Sequence, residues 1–163
     1  MSRILFKTFF INLIIVITVF FTDRLSKYYI VNLSKIENSV DMYVTSYLNL
    51  YLIWNKGIAF GLLSAGEGLI YNFITVAIGI IILIILYMIW KNDNIQRFFL
   101  LLIMGGALGN FYDRLIYKAV PDFIDLHFYG YHWFVFNVAD IFISIGIFCL
   151  IINELFFYKK YET

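Results

Sequence analysis

Four stretches of this 163-residue chain, at about 8–30, 69–90, 97–117 and 134–157, are apolar for long enough to cross a bilayer. A hydrocarbon core about 30 Å thick takes roughly 20 helical residues. No water is present inside it to satisfy backbone N–H and C=O groups, so each stretch is forced into an α-helix. Composition agrees: 63% of the residues are hydrophobic, 21% aromatic and only 14% charged, too oily for a soluble globular domain of this size. The expected fold is a mainly α integral membrane protein with four transmembrane helices. It is read as a single membrane domain over 1–163, with no internal repeat, low-complexity tract or dividing linker.

Charge sets the expected orientation. Arg3, Lys7, Lys91, Arg97, Lys159 and Lys160 flank one set of span ends, whereas the opposite loops carry only Lys35, Lys56 and Lys118. The positive-inside rule then places both termini in the cytoplasm and the segments 31–67 and 118–133 outside. Arg3 and Lys7 ahead of an apolar stretch also fit the start of a signal peptide. No small-x-small cleavage site comes after it, however, and the stretch runs on into Asp23-Arg24-Leu25-Ser26-Lys27, so the first helix is expected to be retained. A net charge of +1 without a Lys/Arg cluster argues against nucleic acid as a partner. Cys149, the single cysteine, can build neither a disulfide nor a cysteine metal site within one chain and reads as a small buried hydrophobe.

The two outward segments differ. In the first, Val44 to Phe60 alternates roughly with period two, as in the run Tyr43 to Trp54, and is rich in aromatics, which predicts short strands. Gly57, Gly61, Gly66 and Gly68 punctuate the stretch from there to the second span, as turns or as backbone that another group approaches closely. The second outward segment holds Asp122, Asp125, His127 and His132 and reads as a loop.

Polar groups collect at the outer side. Asp122 and Asp140 flank the opening of the last apolar run, where an ionised side chain is costly and usually functional. Asp23 and Lys27, four apart, share one helical face, and a structural ion pair explains them as well as a site does. In the third span, Gly105 and Gly109 form a small-residue surface that lets another helix come close. Asn110, Asp113 and Arg114 come next, and these need partners near a membrane interface; Asp113 with Arg114 could be one such pair, or both could contact substrate. Asn55 and Asn137 read singly as loop or cap residues. Together with Asp23, Lys27, Asn110, Asp113, Arg114, Asp122 and Asp140, they map to one side of the bilayer and suggest a site.

Two carboxylates brought within a few ångströms cannot both ionise cheaply, so they share a proton. The ionised member can take a proton from water while the protonated member polarises a carbonyl, the logic of aspartic proteases. Asp122 with Asp140 fits; Asp122 with Asp125 would share a face only if that loop were helical. Rival nucleophiles are weaker: Ser26 and Lys27 diverge on a helix, Ser64 has no base nearby, and Ser144 is expected to bond its own helix. Asp122, Asp125, His127 and His132 also leave a metal site open, but no His-x-x-x-His or Glu-x-x-His spacing fixes a ligand face, and it ranks below the dyad. A small transporter or proton conductor is disfavoured because the centres of the second and fourth spans are nearly free of ionisable groups.

The blocks Asp23-x-x-x-Lys27, Asn55-x-Gly57-x-Ala59-Phe60-Gly61, Gly105-Gly106-Ala107-Leu108-Gly109-Asn110-x-x-Asp113-Arg114, Asp122-Phe123 and Phe136-Asn137-x-Ala139-Asp140 run in order through nearly the whole chain. Together they resemble the signal peptidase II (lipoprotein signal peptidase) family. The resemblance implies a bacterial cytoplasmic-membrane aspartic endopeptidase without cofactor or metal. Such an enzyme removes signal peptides from prolipoproteins among membrane lipids, cutting before the diacylglyceryl-modified cysteine; the chain is expected to be a monomer. It further implies that Asp122 and Asp140 are catalytic and that Asn55, Asn110, Arg114 and Asn137 bind substrate and peptide-like inhibitors of the globomycin type. Asp23, Lys27, Asp113, Gly57 and Gly109 would organise the site, and 31–67 would supply a small extracytoplasmic β-sheet cradle and a short helical lid. Pro121, the only proline, stands where the family usually has an aliphatic residue, and stiffens the approach to Asp122. Trp54, Phe60, Phe123 and Phe136 are candidate apolar walls for a lipidated substrate.

Overall fold

The computed structural model describes residues 3–37, 39–57 and 67–157. Four helices form its frame: α1 (Arg3–Glu37), α2 (Glu67–Lys91), α3 (Ile95–Tyr117) and α4 (Val138–Phe157). Each contains a segment long and apolar enough to cross a membrane, namely Lys7–Glu37, Gly68–Lys91, Ile95–Tyr117 and Val138–Phe156. α3 is the central element and packs against the other three. Half of its apolar window is buried inside the protein, against 11% for each of the others. Ile14, Phe73, Leu83 and Phe148 remain more than half exposed on the outer helices. Such surfaces suit lipid, which solvates apolar side chains without cost.

Packing within the bundle relies on small residues. A Cβ added at Gly105 would sit 2.6 Å from Val19 Cβ, and one at Gly109 would sit 2.5 Å from Asp23 Oδ2. α1 therefore lies against α3 at a distance only glycine permits. On the other flank, Ile82 and Ile85 of α2 pack with Leu100, Ile103, Met104 and Ala107 of α3. The tight α2–α3 connection ends at Asn94, whose side chain accepts from the Gln96 N–H at 3.0 Å and caps α3.

At one end of the bundle the chain builds a four-stranded antiparallel sheet in the order β1 (Asp41–Thr45), β2 (Leu48–Asn55), β3 (Val120–Phe128), β4 (Tyr131–His132). The period-two segment thus forms the β1–β2 hairpin. β3 is a strand where the sequence suggests a loop; it pairs with β2 from Leu48↔Leu126 to Asn55↔Val120. Its residues Pro121, Asp122 and Asp125 favour strand poorly, but cross-strand pairing and burial override that preference. Ile30 of α1, Val40 just ahead of β1, and Phe123 of β3 form a second core that seats the sheet on the bundle.

Three span boundaries shift by four residues or more, the first being the start of α1 at Arg3, five residues ahead of the expected 8. α1 continues seven residues past the expected end at 30, because no proline or glycine interrupts it and its charged turn finds partners on α3. α4 begins at Val138 rather than 134, because Asn137 caps it. Of the segment 31–67 expected to supply a short lid, residues 58–66, which include Phe60 and Ser64, lie outside the described residues.

Candidate active site

The site grows from the first turn of α4. Asn137 is its N-cap and Asp140 the third helical residue. Asn137 Oδ1 accepts from the Asp140 N–H at 3.2 Å, while Asp140 Oδ2 accepts from the Asn137 N–H at 3.0 Å. This reciprocal pair is a capping box, and it fixes Asp140 at the positive end of the helix. With Oδ1 committed to the cap, Asn137 turns its amide NH₂ outward and donates to Asp122 Oδ1 at 2.6 Å. One fully buried asparagine therefore holds both carboxylates.

The other oxygens are also engaged. Asn55, at the end of β2, donates to Asp122 Oδ2 at 2.8 Å. Its Oδ1 accepts from the Gly57 N–H at 2.7 Å, which fixes the direction of the amide. Gly57 adopts φ of 81°, a left-handed conformation that favours glycine. Asn110 of α3 donates to Asp140 Oδ1 at 2.8 Å and accepts from Lys27 Nζ at 2.7 Å. Burial pushes the Asp122 carboxyl up from its ordinary 3.8 to about 6, and the nearby Asp140 charge adds to the rise; the Asn55 and Asn137 hydrogen bonds and the Lys27 charge oppose it.

Behind Asn110 lies a buried ionic cluster. Lys27 Nζ meets Asp23 Oδ1 at 2.9 Å and Asp113 Oδ2 at 2.7 Å. Arg24 binds Asp113 with both terminal nitrogens, at 2.5 and 2.6 Å, and reaches Asp23 Oδ2 at 2.8 Å. Two acids and two cations balance, as burial at this depth demands. Asp23 Oδ1 further accepts from the Ala139 N–H at 3.0 Å, tying α1 to the start of α4.

Asp122, Asp140, Asn55, Asn110 and Asn137 thus converge, with Lys27, Asp23 and Asp113 supporting them from behind. Gly109 admits Asp23, and Gly57 orients Asn55. Arg24 belongs to this group although the sequence motifs pass over it. Its signal is a charge imbalance: two acids, Asp23 and Asp113, need a second cation beside Lys27. Asp113 does not pair with Arg114, since neighbouring helical residues point about 100° apart. Arg114 instead lies beside Gly57 and over the Tyr71 ring at 5.9 Å; its Nε and one terminal nitrogen are buried without a hydrogen-bond partner among the described residues. Asp125, three positions along a strand from Asp122, faces the opposite side. Phe123 also faces away from Asp122 and is buried in the second core rather than lining the site. Trp54 packs edge-on against Tyr117 at 5.6 Å.

Beside Asp140 opens a cavity of about 560 Å³ between the β3–β4 hairpin and α4. Phe136, Phe134, Ile141, Ile145 and Trp133 give it an apolar wall, and Ser144, expected to be occupied with its own helix, lines it too. A polar, water-competent end thus meets an apolar trough.

Residues 15–156 match the family model described as Signal peptidase (SPase) II. The chain belongs to the signal peptidase II family. It is 64% identical to the lipoprotein signal peptidase of Pelagibacter ubique, across 98% of this chain and 96% of that one. Identity to the lipoprotein signal peptidase of Aquifex aeolicus is 42%, across 96% and 92%. A bacterial membrane enzyme structure determined by the in meso method superposes with a TM-score of 0.75 at 32% identity, covering 90% of this chain and 93% of that one. A second such structure gives 0.71 at 31% identity, covering 93% and 91%. As a signal peptidase II, the chain is a membrane protease of four apolar helices and a small antiparallel sheet.

Proposed function

We propose that this signal peptidase II removes signal peptides from lipidated bacterial prolipoproteins on the N-terminal side of the diacylglyceryl-cysteine, using Asp122 and Asp140 as an aspartic dyad. The observation that carries the reading is the single Asn137 that hydrogen-bonds both carboxylates at the mouth of an apolar cavity. The pair holds one proton between them. The ionised carboxylate takes a proton from a water whose oxygen attacks the scissile carbonyl, and the protonated one gives its proton to the carbonyl oxygen. The tetrahedral species then collapses as a proton passes to the leaving nitrogen. An Asp122 carboxyl raised to about 6 retains the protonated form toward neutral pH, which this division of labour needs.

Asn55, Asn110 and Asn137 orient the carboxylates and leave the peptide few ways to sit against them. Arg114, with buried nitrogens unpaired among the described residues, offers donors to the peptide's carbonyl oxygens. The apolar trough receives hydrophobic parts of the substrate while acyl chains stay in lipid, and peptide-like inhibitors of the globomycin type would compete there.

Asp122→Asn and Asp140→Asn should each lower cleavage by about 10²–10⁴-fold, the usual contribution of general acid–base catalysis. The test is incubation of each purified variant with lipidated and non-lipidated prolipoprotein, read as loss of mass on a gel, with thermal unfolding as the folding control. Cleavage at the parent rate by either folded variant would overturn the dyad.

A further inference from the structure

We propose that Asp125, His127 and His132 form a binding site for a divalent transition cation of the Zn²⁺ type at the β3–β4 hairpin, Asp125 and His132 lining a cleft apart from the dyad and His127 also bordering the apolar cavity beside Asp140. Asp125 and His127 are two apart on β3 and so share a face. His132 of β4 is the cross-strand partner of His127, and the two imidazoles stack at 5.2 Å. His132 Nδ1 lies 2.8 Å from Asp125 Oδ2. One ligand atom from each of the three residues falls within 4.8 Å of the others. Tetrahedral Zn²⁺, with ligands at about 2.1 Å, places its donor atoms about 3.4 Å apart. Closing that difference takes up to about 1.4 Å of side-chain movement, which the 55% exposed side chain of His132 has room to make.

A second observation points to a missing ligand rather than to a finished structural pair. Asp125 is 5% exposed, yet its Oδ1 has no hydrogen-bond partner among the described residues. His127 Nδ1 is buried and unpartnered in the same sense, as is Oδ1 of Asn49, which stands directly across from Asp125 on β2. Leaving several buried acceptors unsatisfied in one patch is costly, and a cation satisfies them together. Asp41, Asn49, Asp125 and His132 line one cleft of about 450 Å³, which gives the cation a path and adds a second carboxylate to attract it. Two imidazoles and one carboxylate suit zinc, nickel or copper rather than calcium or magnesium. Asn49 Oδ1 or water completes the shell.

The test uses the full chain in detergent micelles, carrying no polyhistidine tag. Titration with Co²⁺ should produce visible d–d absorption that saturates at one equivalent and is abolished by one equivalent of Zn²⁺. His127→Ala and His132→Ala should each weaken binding by at least about tenfold, the lower bound for losing even an outer partner of a metal ligand. Asp122→Asn should bind Co²⁺ as the parent does, so the outcome is independent of the dyad. No saturable one-to-one binding, or equal binding by the exposed-site variant His132→Ala, would overturn the proposal.

Discussion

In the proposed mechanism Asn137 serves a helix and a reaction at once. Its carbonyl oxygen is used by the helix cap and its amide nitrogen by Asp122, so the two roles can be separated by substitution. Asn137→Ala should lose about 1 kcal/mol of stability, as N-cap truncations do, and most of its cleavage. Asn137→Ser keeps an oxygen that can accept from the Asp140 N–H, but has no amide to reach Asp122. It should regain the stability without the activity; thermal unfolding beside prolipoprotein cleavage reads both. A serine variant as active as the parent would mean that the bridge to Asp122 is dispensable. At this scale the two aspartates are legible in the sequence because carboxylates beside apolar runs stand out. The linkage through Asn137 is not, since Asn-x-x-Asp reads equally as a plain cap until β3 brings Asp122 alongside. Arg24 is hidden for a related reason: its role depends on Asp113, which lies on another helix.

The elements are easier to read where lipid dictates them. Helices α1 to α4 come from the need to satisfy every backbone group internally, and the β1–β2 hairpin from its alternation. β3 is concealed because Pro121 and two aspartates argue locally against a strand, and only pairing with β2 and packing on Ile30 and Val40 outweigh them. The α1–α3 contact carries the site's support, and it rests on Gly109. An alanine there would place its Cβ 2.5 Å from Asp23 Oδ2, pushing away the carboxylate that holds Lys27, Arg24 and the Ala139 N–H. Gly109→Ala should therefore cost about 1–3 kcal/mol, the range for overpacking, and lower cleavage. Gly68 has nothing within 4 Å of an added Cβ and provides the control. Equal stability of Gly109→Ala and Gly68→Ala, measured by thermal unfolding in micelles, would show that α1 is not held to α3 by this close approach.

At the scale of the whole molecule the question is which side of the membrane the sheet and dyad face. Arg3, Lys7, Lys91 and Arg97 belong to the end of the bundle opposite the sheet, so the expectation from the positive-inside rule is a sheet that faces outward. The single native cysteine makes this measurable, because Cys149→Ser leaves a cysteine-free background. Tyr129, 94% exposed at the β3–β4 turn, and Asp93, in the exposed α2–α3 connection, mark the two ends. In intact cells stripped of any outer barrier, a membrane-impermeant maleimide should label Tyr129→Cys, and should label Asp93→Cys only after the membrane is opened. The reverse pattern would put the carboxylates in the cytoplasm. Under the proposed function, a prolipoprotein whose lipid-modified cysteine lies at the outer leaflet would then be out of their reach, because its acyl chains hold that cysteine at the interface.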